Sequence, residues 1–395
     1  MGTLTASQMG AELLFKIPSE YLTFGRRSET QGAEKIYHGE RPPGGKVVYI
    51  SGGSSGFASA NEHALSEELT KRMGVPVRVY VIAYSSQSVT DSYSLQASIP
   101  KADDTEQVYI LMTYGGHRAI SEPHAAIRST FKRTRTLVRP EALRKLINDE
   151  NLLEEPSFYR GLNTVTDHKK YMAEMDKEFT SSVGSHWLKN FFHDKMKKLS
   201  RNVKNKKSYF VEQDVFRKND YAQSRLDSVY KSFQKPKIRK RREQAHKKYA
   251  DILLRNISNL TPEEAERRQN FARYMFKKSK ETSDRKNFKF GALELPVYND
   301  LLTQPVILEQ RKNFNRKMQS LSIEHDFPVF YLEDAIEELD VFEYWYDTGH
   351  MSPIGRHKFQ KYYVDALVKF LNGDRGGVYG AAEVGKATDI VTVVE

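Results

Sequence analysis

Two short segments hold residue types that could act together on an ester. Gly52-Gly53-Ser54-Ser55-Gly56 places two hydroxyls in a run of small residues, and Tyr346-Asp347-Thr348-Gly349-His350 places a carboxylate three residues before an imidazole. A free serine is a weak nucleophile and needs an adjacent base, which a third group must orient. Asp347 could accept the Nδ1 proton of His350, fixing the tautomer and leaving Nε2 to take a proton from serine. An alternative use for Asp347 is to cap the helix that follows. Ser352 with Pro353 behind it already supplies that cap, so the Asp-His pair is left with another purpose.

Such groups work only if the chain brings them together, and the flanking patterns say how. Val47 to Ile50 reads as a buried strand, the small-residue turn follows, and Leu65, Leu69 and Met73 fall four apart before Gly74: strand, tight turn, helix. A serine in that turn would sit beside unpaired backbone N–H groups at a helix start, which favour a developing oxyanion. A second strand, Val77 to Ala83, leads into Tyr84-Ser85-Ser86-Gln87, and a third, Val108 to Thr113, into Tyr114-Gly115-Gly116-His117. Pro328 to Leu332 reads as a further strand, after a helix carrying Ile307, Phe314, Met318 and Leu321. The last helix, capped by Ser352, shows Phe359, Tyr363, Ala366 and Phe370 on one face before Gly373. Strands alternating with helices predict a parallel sheet, whose strands' carboxyl ends gather the polar loops.

Strand-Gly-Gly-Ser-Ser-Gly-Phe-Ala near the start and Tyr-Asp-Thr-Gly-His-Met-Ser-Pro-Ile-Gly-Arg-His-Lys-Phe near the end resemble the first and last sequence blocks of the SGNH/GDSL hydrolase superfamily, over residues 44–140 and 290–372. In the last block of that family Asp-x-x-His precedes a helix with a Gly a few residues on, here Gly355. The resemblance implies a flavodoxin-like three-layer α/β/α parallel sheet and an esterase or O-acyltransferase that forms an acyl-serine intermediate. It implies a triad of Ser54, Asp347 and His350, or of Ser55 in place of Ser54 if the register shifts by one. Divergent members with long insertions often act on polysaccharides, so an acylated carbohydrate is the implied substrate, and neither cofactor nor metal is expected. The chain departs from the pattern where the family's oxyanion-hole Gly and Asn should stand. Ser85, Gly115 and His117 occupy those loops, and an imidazole N–H can replace an amide donor. His63, His246 and His357 read instead as solvated helix residues.

Charge divides the rest. The chain has a net charge of +11 over 395 residues, and Lys189 to Lys248 alone holds about 20 Lys and Arg against about 6 Asp and Glu. That stretch lies in a region, 145–285, that reads as a basic helical insertion; Thr261-Pro262-Glu263-Glu264 is a capping box inside it. The expected organisation is an N-terminal extension over 1–43, a first core part over 44–144, the insertion over 145–285, a second core part over 286–373 and a tail over 374–395. A polyanion (acidic glycan, anionic lipid or nucleic acid) is the partner expected at Lys237, Arg239, Lys240, Arg241 and Arg242. Tyr209, Phe210, Phe216, Tyr221, Tyr230 and Phe233 interleave with the cations, as stacking on bases or sugars would require. A non-catalytic polyanion binder on a degenerate scaffold is therefore the alternative function, and a structural partner in a secretion or envelope assembly a third. No cysteine is present, which excludes thiolate chemistry and disulfides. No stretch reaches the roughly 20 apolar residues of a membrane span. The composition fits either a cytoplasmic chain or an exported domain anchored by another segment.

Overall fold

The computed structural model describes residues 35–37, 39–84, 86–118, 121–133, 141–149, 170–181, 223–377 and 379. In chain order these form β1 (Lys46–Ser51), α1 (Ser54–Ser59), α2 (Glu62–Met73), β2 (Val77–Val81), α3 (Val89–Ser98) and β3 (Gln107–Tyr114). Six helices follow: α4 (Pro123–Arg133), α5 (Glu141–Asp149), α6 (170–181), α7 (Gln223–Phe233), α8 (Pro236–Ser258) and α9 (Pro262–Arg285). Then come β4 (Phe288–Glu294), α10 (Asn299–Leu302), α11 (Pro305–Glu324), β5 (Val329–Tyr331), α12 (Glu333–Glu338), the antiparallel pair β6 (Trp345–Asp347) and β7 (His350–Met351), and α13 (Pro353–Leu371). Strands β1 to β5 are all parallel, in the order β2-β1-β3-β4-β5.

The central strands β1 and β3 are buried on both faces, which is why they are near-continuous apolar runs. In β1, Val48 and Ile50 face a cluster with Phe57, Leu65 and Leu69 of α1 and α2 and Phe359, Tyr363 and Phe370 of α13. Val47 and Tyr49 face the other layer, built from Leu95 of α3, Ala272 and Phe276 of α9, and Phe314, Met318 and Leu321 of α11. The result is a three-layer α/β/α sandwich with β1 and β3 adjacent at the middle of the sheet. In doubly wound sheets of this strand order the crevice for ligands opens outside the carboxyl ends of those two strands.

Two features depart from the sequence reading. Strand β4 was not anticipated. Its Lys289, Gly291 and Glu294 break the apolar pattern, yet Gly291 lies under the Phe370 ring and Glu294 is buried in a bidentate pair with Arg311, Nε to Oε1 2.8 Å and Nη2 to Oε2 2.9 Å. The second concerns the expected insertion. Helix α9 belongs to the sheet's own outer layer, through Ala272 and Phe276, and is the crossover into β4. Its other buried apolar residues, Phe271 and Met275, join α4, α5 and α6 in a satellite core around Phe131, Leu143, Ile147 and Phe179. Fully burying side chains of this size is worth about 1.5–3 kcal/mol each, so residues 262–285 are structural to the sandwich. Among the described residues no helix is long and apolar enough to cross a membrane.

Candidate active site

Ser51 ends β1, and the chain then turns at Gly52, whose φ of +150° is a glycine conformation. A side chain there would begin 2.0 Å from Thr113 Oγ1 of neighbouring β3, the hydroxyl that donates to Ser51 O at 2.9 Å. Close approach of two central strands thus dictates the small residue. Gly53, extended, is the N-cap of α1 and brings no side chain of its own, so nothing from it shields the first N–H groups of the helix. Ser54 is the first residue of that helix.

The partner loop comes from the β6–β7 hairpin. Asp347 Oδ1 accepts from the Gly349 N–H at 2.9 Å, which folds the loop back and brings His350 opposite Asp347 across the hairpin. The His350 Nδ1 then lies 2.8 and 2.9 Å from the two Asp347 oxygens. Its Nε2 lies 2.6 Å from Ser54 Oγ. With Nδ1–H donating its hydrogen bond to the carboxylate, Nε2 is the acceptor and the serine hydroxyl donates to it. Beneath the hairpin, Ser352 caps α13 by accepting from Gly355 N–H at 3.2 Å and donates to Glu343 O at 2.8 Å. Gly355 sits where a side chain would start 2.0 Å from Tyr344 O, so the helix can press against the hairpin only with glycine there.

Ser55, the other candidate nucleophile, is turned away from His350. Its Oγ donates to Gly349 O and accepts from Arg118 Nη2. Ser55 is therefore a tie between α1, the hairpin and the loop after β3. Of the three residues expected around an oxyanion, Ser85 lies outside the described residues, while Gly115 lines the cavity described below. His117 packs its ring against Gly115 and is 2 % exposed, behind the cavity wall. Both its ring nitrogens are buried without a hydrogen-bond partner. Burial, reinforced by Arg118 and then Arg311, holds the imidazole well below its ordinary value of 6.5, so it is neutral near pH 7.

That shift carries an expected result for stability. In the unfolded chain His117 takes up a proton as pH falls through about 6.5, whereas in the fold it takes one up only at lower pH. Over that window the unfolded state binds more protons, so the unfolding free energy must fall as pH falls. The buried His246 and half-buried His357 shift in the same direction. Urea titrations between pH 7.5 and 5 should therefore show declining stability, with the slope reduced in His117→Gln by at most about 1.4 kcal/mol per pH unit. An unchanged slope in that variant would refute neutral burial of His117.

A cavity of about 540 Å³ opens at the carboxyl ends of β1 and β3, next to the turn that holds Ser54. Gly52, Gly53, Gly115 and Arg118 line it near Ser54; Met112, Phe276 and Phe314 form an apolar floor, and Ser88, Ser92 and Ser129 add hydroxyls. No protein-family model matches the chain, and no curated protein matches it either.

Two residues of the site were missed by the sequence reading. Tyr249 of α8 sets its ring edge-on to His350, centroids 5.4 Å apart, and closes against Gly349. Arg118 lies over the same ring at 5.9 Å. The signal for Tyr249 was legible: Arg242, His246, Tyr249 and Leu253 form an i, i+4, i+7, i+11 stripe, the inward face of a helix. Two assignments on that stripe need correction. Arg242 is not a free polyanion contact; it is 5 % exposed, donates to Phe342 O and Trp345 O, and lies between the rings of Phe233 and Phe342 at 4.2 and 4.4 Å. His246 is not solvated but packs between Tyr298 and Phe342. Lys237, Arg239, Lys240 and Arg241 are exposed, as expected of them. Of the interleaved aromatics, Tyr230 is exposed and Phe233 is buried against Tyr346, while Tyr209, Phe210, Phe216 and Tyr221 lie outside the described residues.

Proposed function

We propose that the chain is a serine-dependent esterase or O-acyltransferase of the SGNH type, acting through an acyl-Ser54 intermediate on an acylated carbohydrate or another ester. One observation carries the reading: Ser54 Oγ, His350 and Asp347 stand in a continuous hydrogen-bonded line, 2.6 Å and 2.8 Å per link, beside a cavity. In the first half-reaction Ser54 Oγ attacks the ester carbonyl while Nε2 takes its proton. The tetrahedral intermediate then expels the alcohol, which leaves with that proton. In the second half-reaction Nε2 deprotonates water or a sugar hydroxyl, which attacks the acyl-Ser54 carbonyl and frees the serine. Asp347 holds the imidazole in place and stabilises its charged form throughout. The oxyanion would meet backbone N–H groups at the start of α1 and near Gly115. His117, the side-chain donor the sequence suggests, is neutral but buried behind the cavity wall, so the backbone N–H groups are the donors of this scheme.

A binding-only reading has one observation in its favour, the exposed cations Lys237, Arg239, Lys240 and Arg241 on α8. A fluorophosphonate separates the two readings, because it reacts only with a serine that a base has activated. Ser54 should be labelled in the wild type and not after Ser54→Ala, with the adduct mapped to the peptide holding Ser54. Absence of labelling on folded protein would leave the binding reading standing.

A further inference from the structure

We infer that Arg118 forms an anion-binding subsite beside the nucleophile, so that the substrate presents an oxyanionic group, a carboxylate or a phosphate, close to its scissile ester; this rests on reading Ser54 as the nucleophile. Arg118 is the one charged side chain among the described residues that line the 540 Å³ cavity. Among the described residues no carboxylate forms an ion pair with it, and its Nε is buried with no partner. A half-buried guanidinium left without a counter-charge is costly unless something completes it. Its Nη2 donates to Ser55 Oγ, and the neutral Tyr249 hydroxyl is a second polar neighbour, so neither supplies a counter-charge. Nη1 faces Gly53, lying 3.5 Å from where a side chain at that residue would start. The open edge of the fork is thus turned toward the residue that precedes the nucleophile. The Tyr249 ring beneath helps to fix its plane, and a planar fork of fixed orientation matches the two oxygens of a carboxylate or phosphate.

Arg118 could instead serve only as a clamp, since through Ser55 it is tied to Gly349 and so to the His350 hairpin. A clamp affects every ester alike, whereas a subsite discriminates by charge. Two ester pairs differing only in a carboxylate make the test: mono-4-nitrophenyl adipate against its methyl-capped diester, which puts the charge on the acyl side, and the acetate ester of 4-hydroxybenzoate against that of its methyl ester, which puts it on the alcohol side. The wild type should prefer the anionic member of at least one pair by about tenfold or more in kcat/KM, the size of effect expected for a charge-assisted hydrogen bond. Arg118→Met should collapse that ratio, and Arg118→Lys should restore it only in part, because an ammonium lacks the fork. Any loss common to both members of a pair reads the Ser55 tie.

Binding is measured separately on Ser54→Ala protein, titrated calorimetrically with inorganic phosphate and with adipate. Heat of binding for either anion, abolished by adding Arg118→Met, supports the subsite and shows which oxyanion it takes. An equal ratio in wild type and Arg118→Met, or no binding of either anion, overturns the inference while leaving the esterase reading intact. If the wild type cleaves none of the four esters and takes no fluorophosphonate, the esterase reading falls, and the titrations alone decide for or against Arg118 as an anion site.

Discussion

Ser54→Ala should lower hydrolysis of 4-nitrophenyl acetate by a factor of about 10⁴ or more, His350→Ala by a similar factor, and the double variant by little beyond either. The reason is geometric. Nε2 is 2.6 Å from Ser54 Oγ, so in the proposed scheme hydroxyl and imidazole act as one unit, and removing either disables the other. Asp347→Asn tests the third member differently. An amide in place of the carboxylate can donate to Nδ1, which drives the proton to Nε2 and removes the base from the side facing Ser54; a loss of about 10⁴ in kcat is expected there too. Ser55→Ala is the internal contrast. Its hydroxyl contacts Gly349 O and Arg118 and not the imidazole, so the loss should be far smaller than for Ser54→Ala. Should Ser55→Ala cost more than Ser54→Ala, the nucleophile has been assigned one residue too early. Additive losses in the double variant would mean that Ser54 and His350 act independently, against the hydrogen-bonded line that motivates the scheme.

How far the sequence could lead differs from residue to residue, for physical reasons. Strands β1 and β3 were legible because, buried on both faces, they leave unbroken apolar runs rich in β-branched and aromatic residues. The hairpin residues Asp347 and His350 were legible because carboxylate and imidazole sit three apart in one loop, and local spacing survives folding. Strand β4 was not, because its buried Glu294 is a charge tolerable only with Arg311 beside it, and nothing local announces that partner 17 residues away. Arg118 was passed over for a similar reason. Adjacent to His117 it reads as one more polar loop residue, and its importance arises from Ser55, Gly53 and Tyr249, three residues from two distant segments. Charge bookkeeping also drew the eye to the exposed side of α8. The same helix places Tyr249 against His350, so a stretch counted as an appendage forms one wall of the site. Counting cations could not reveal this, because a helix's outer charge says nothing about what its inner stripe touches.

The four consecutive cations of α8 should accordingly split into two groups when tested. Arg239 forms only a solvent-exposed contact with Glu243 at 3.4 Å, and Lys240 and Arg241 are also exposed. Replacing Arg239, Lys240 and Arg241 together by Gln should therefore change the unfolding free energy by no more than about 0.5 kcal/mol. If a polyanion binds this face, its affinity in the variant should be weaker at low salt and less steeply dependent on salt, since fewer counterions are released. Arg242→Ala should behave in the opposite way. Its guanidinium, stacked between Phe233 and Phe342, is the charged donor to the carbonyls of Phe342 and Trp345, which lie on the path into β6. Hydrogen bonds from a charged donor contribute about 1.5–3 kcal/mol each, and without Arg242 the two carbonyls keep only neutral donors, Trp345 N–H on Phe342 O and His246 Nε2 at 3.4 Å on Trp345 O. A loss of about 3 kcal/mol in unfolding free energy is expected, read by urea titration. Esterase activity should fall with it even under conditions where the variant is folded, because Trp345 is two residues from Asp347 and the hairpin's first strand loses its anchor. Polyanion affinity per folded molecule should stay near wild type, since the exposed cations remain. If Arg242→Ala proves as stable as wild type and instead abolishes polyanion binding, Arg242 contributes outward charge after all, and the side of α8 that holds the His350 hairpin has been misassigned.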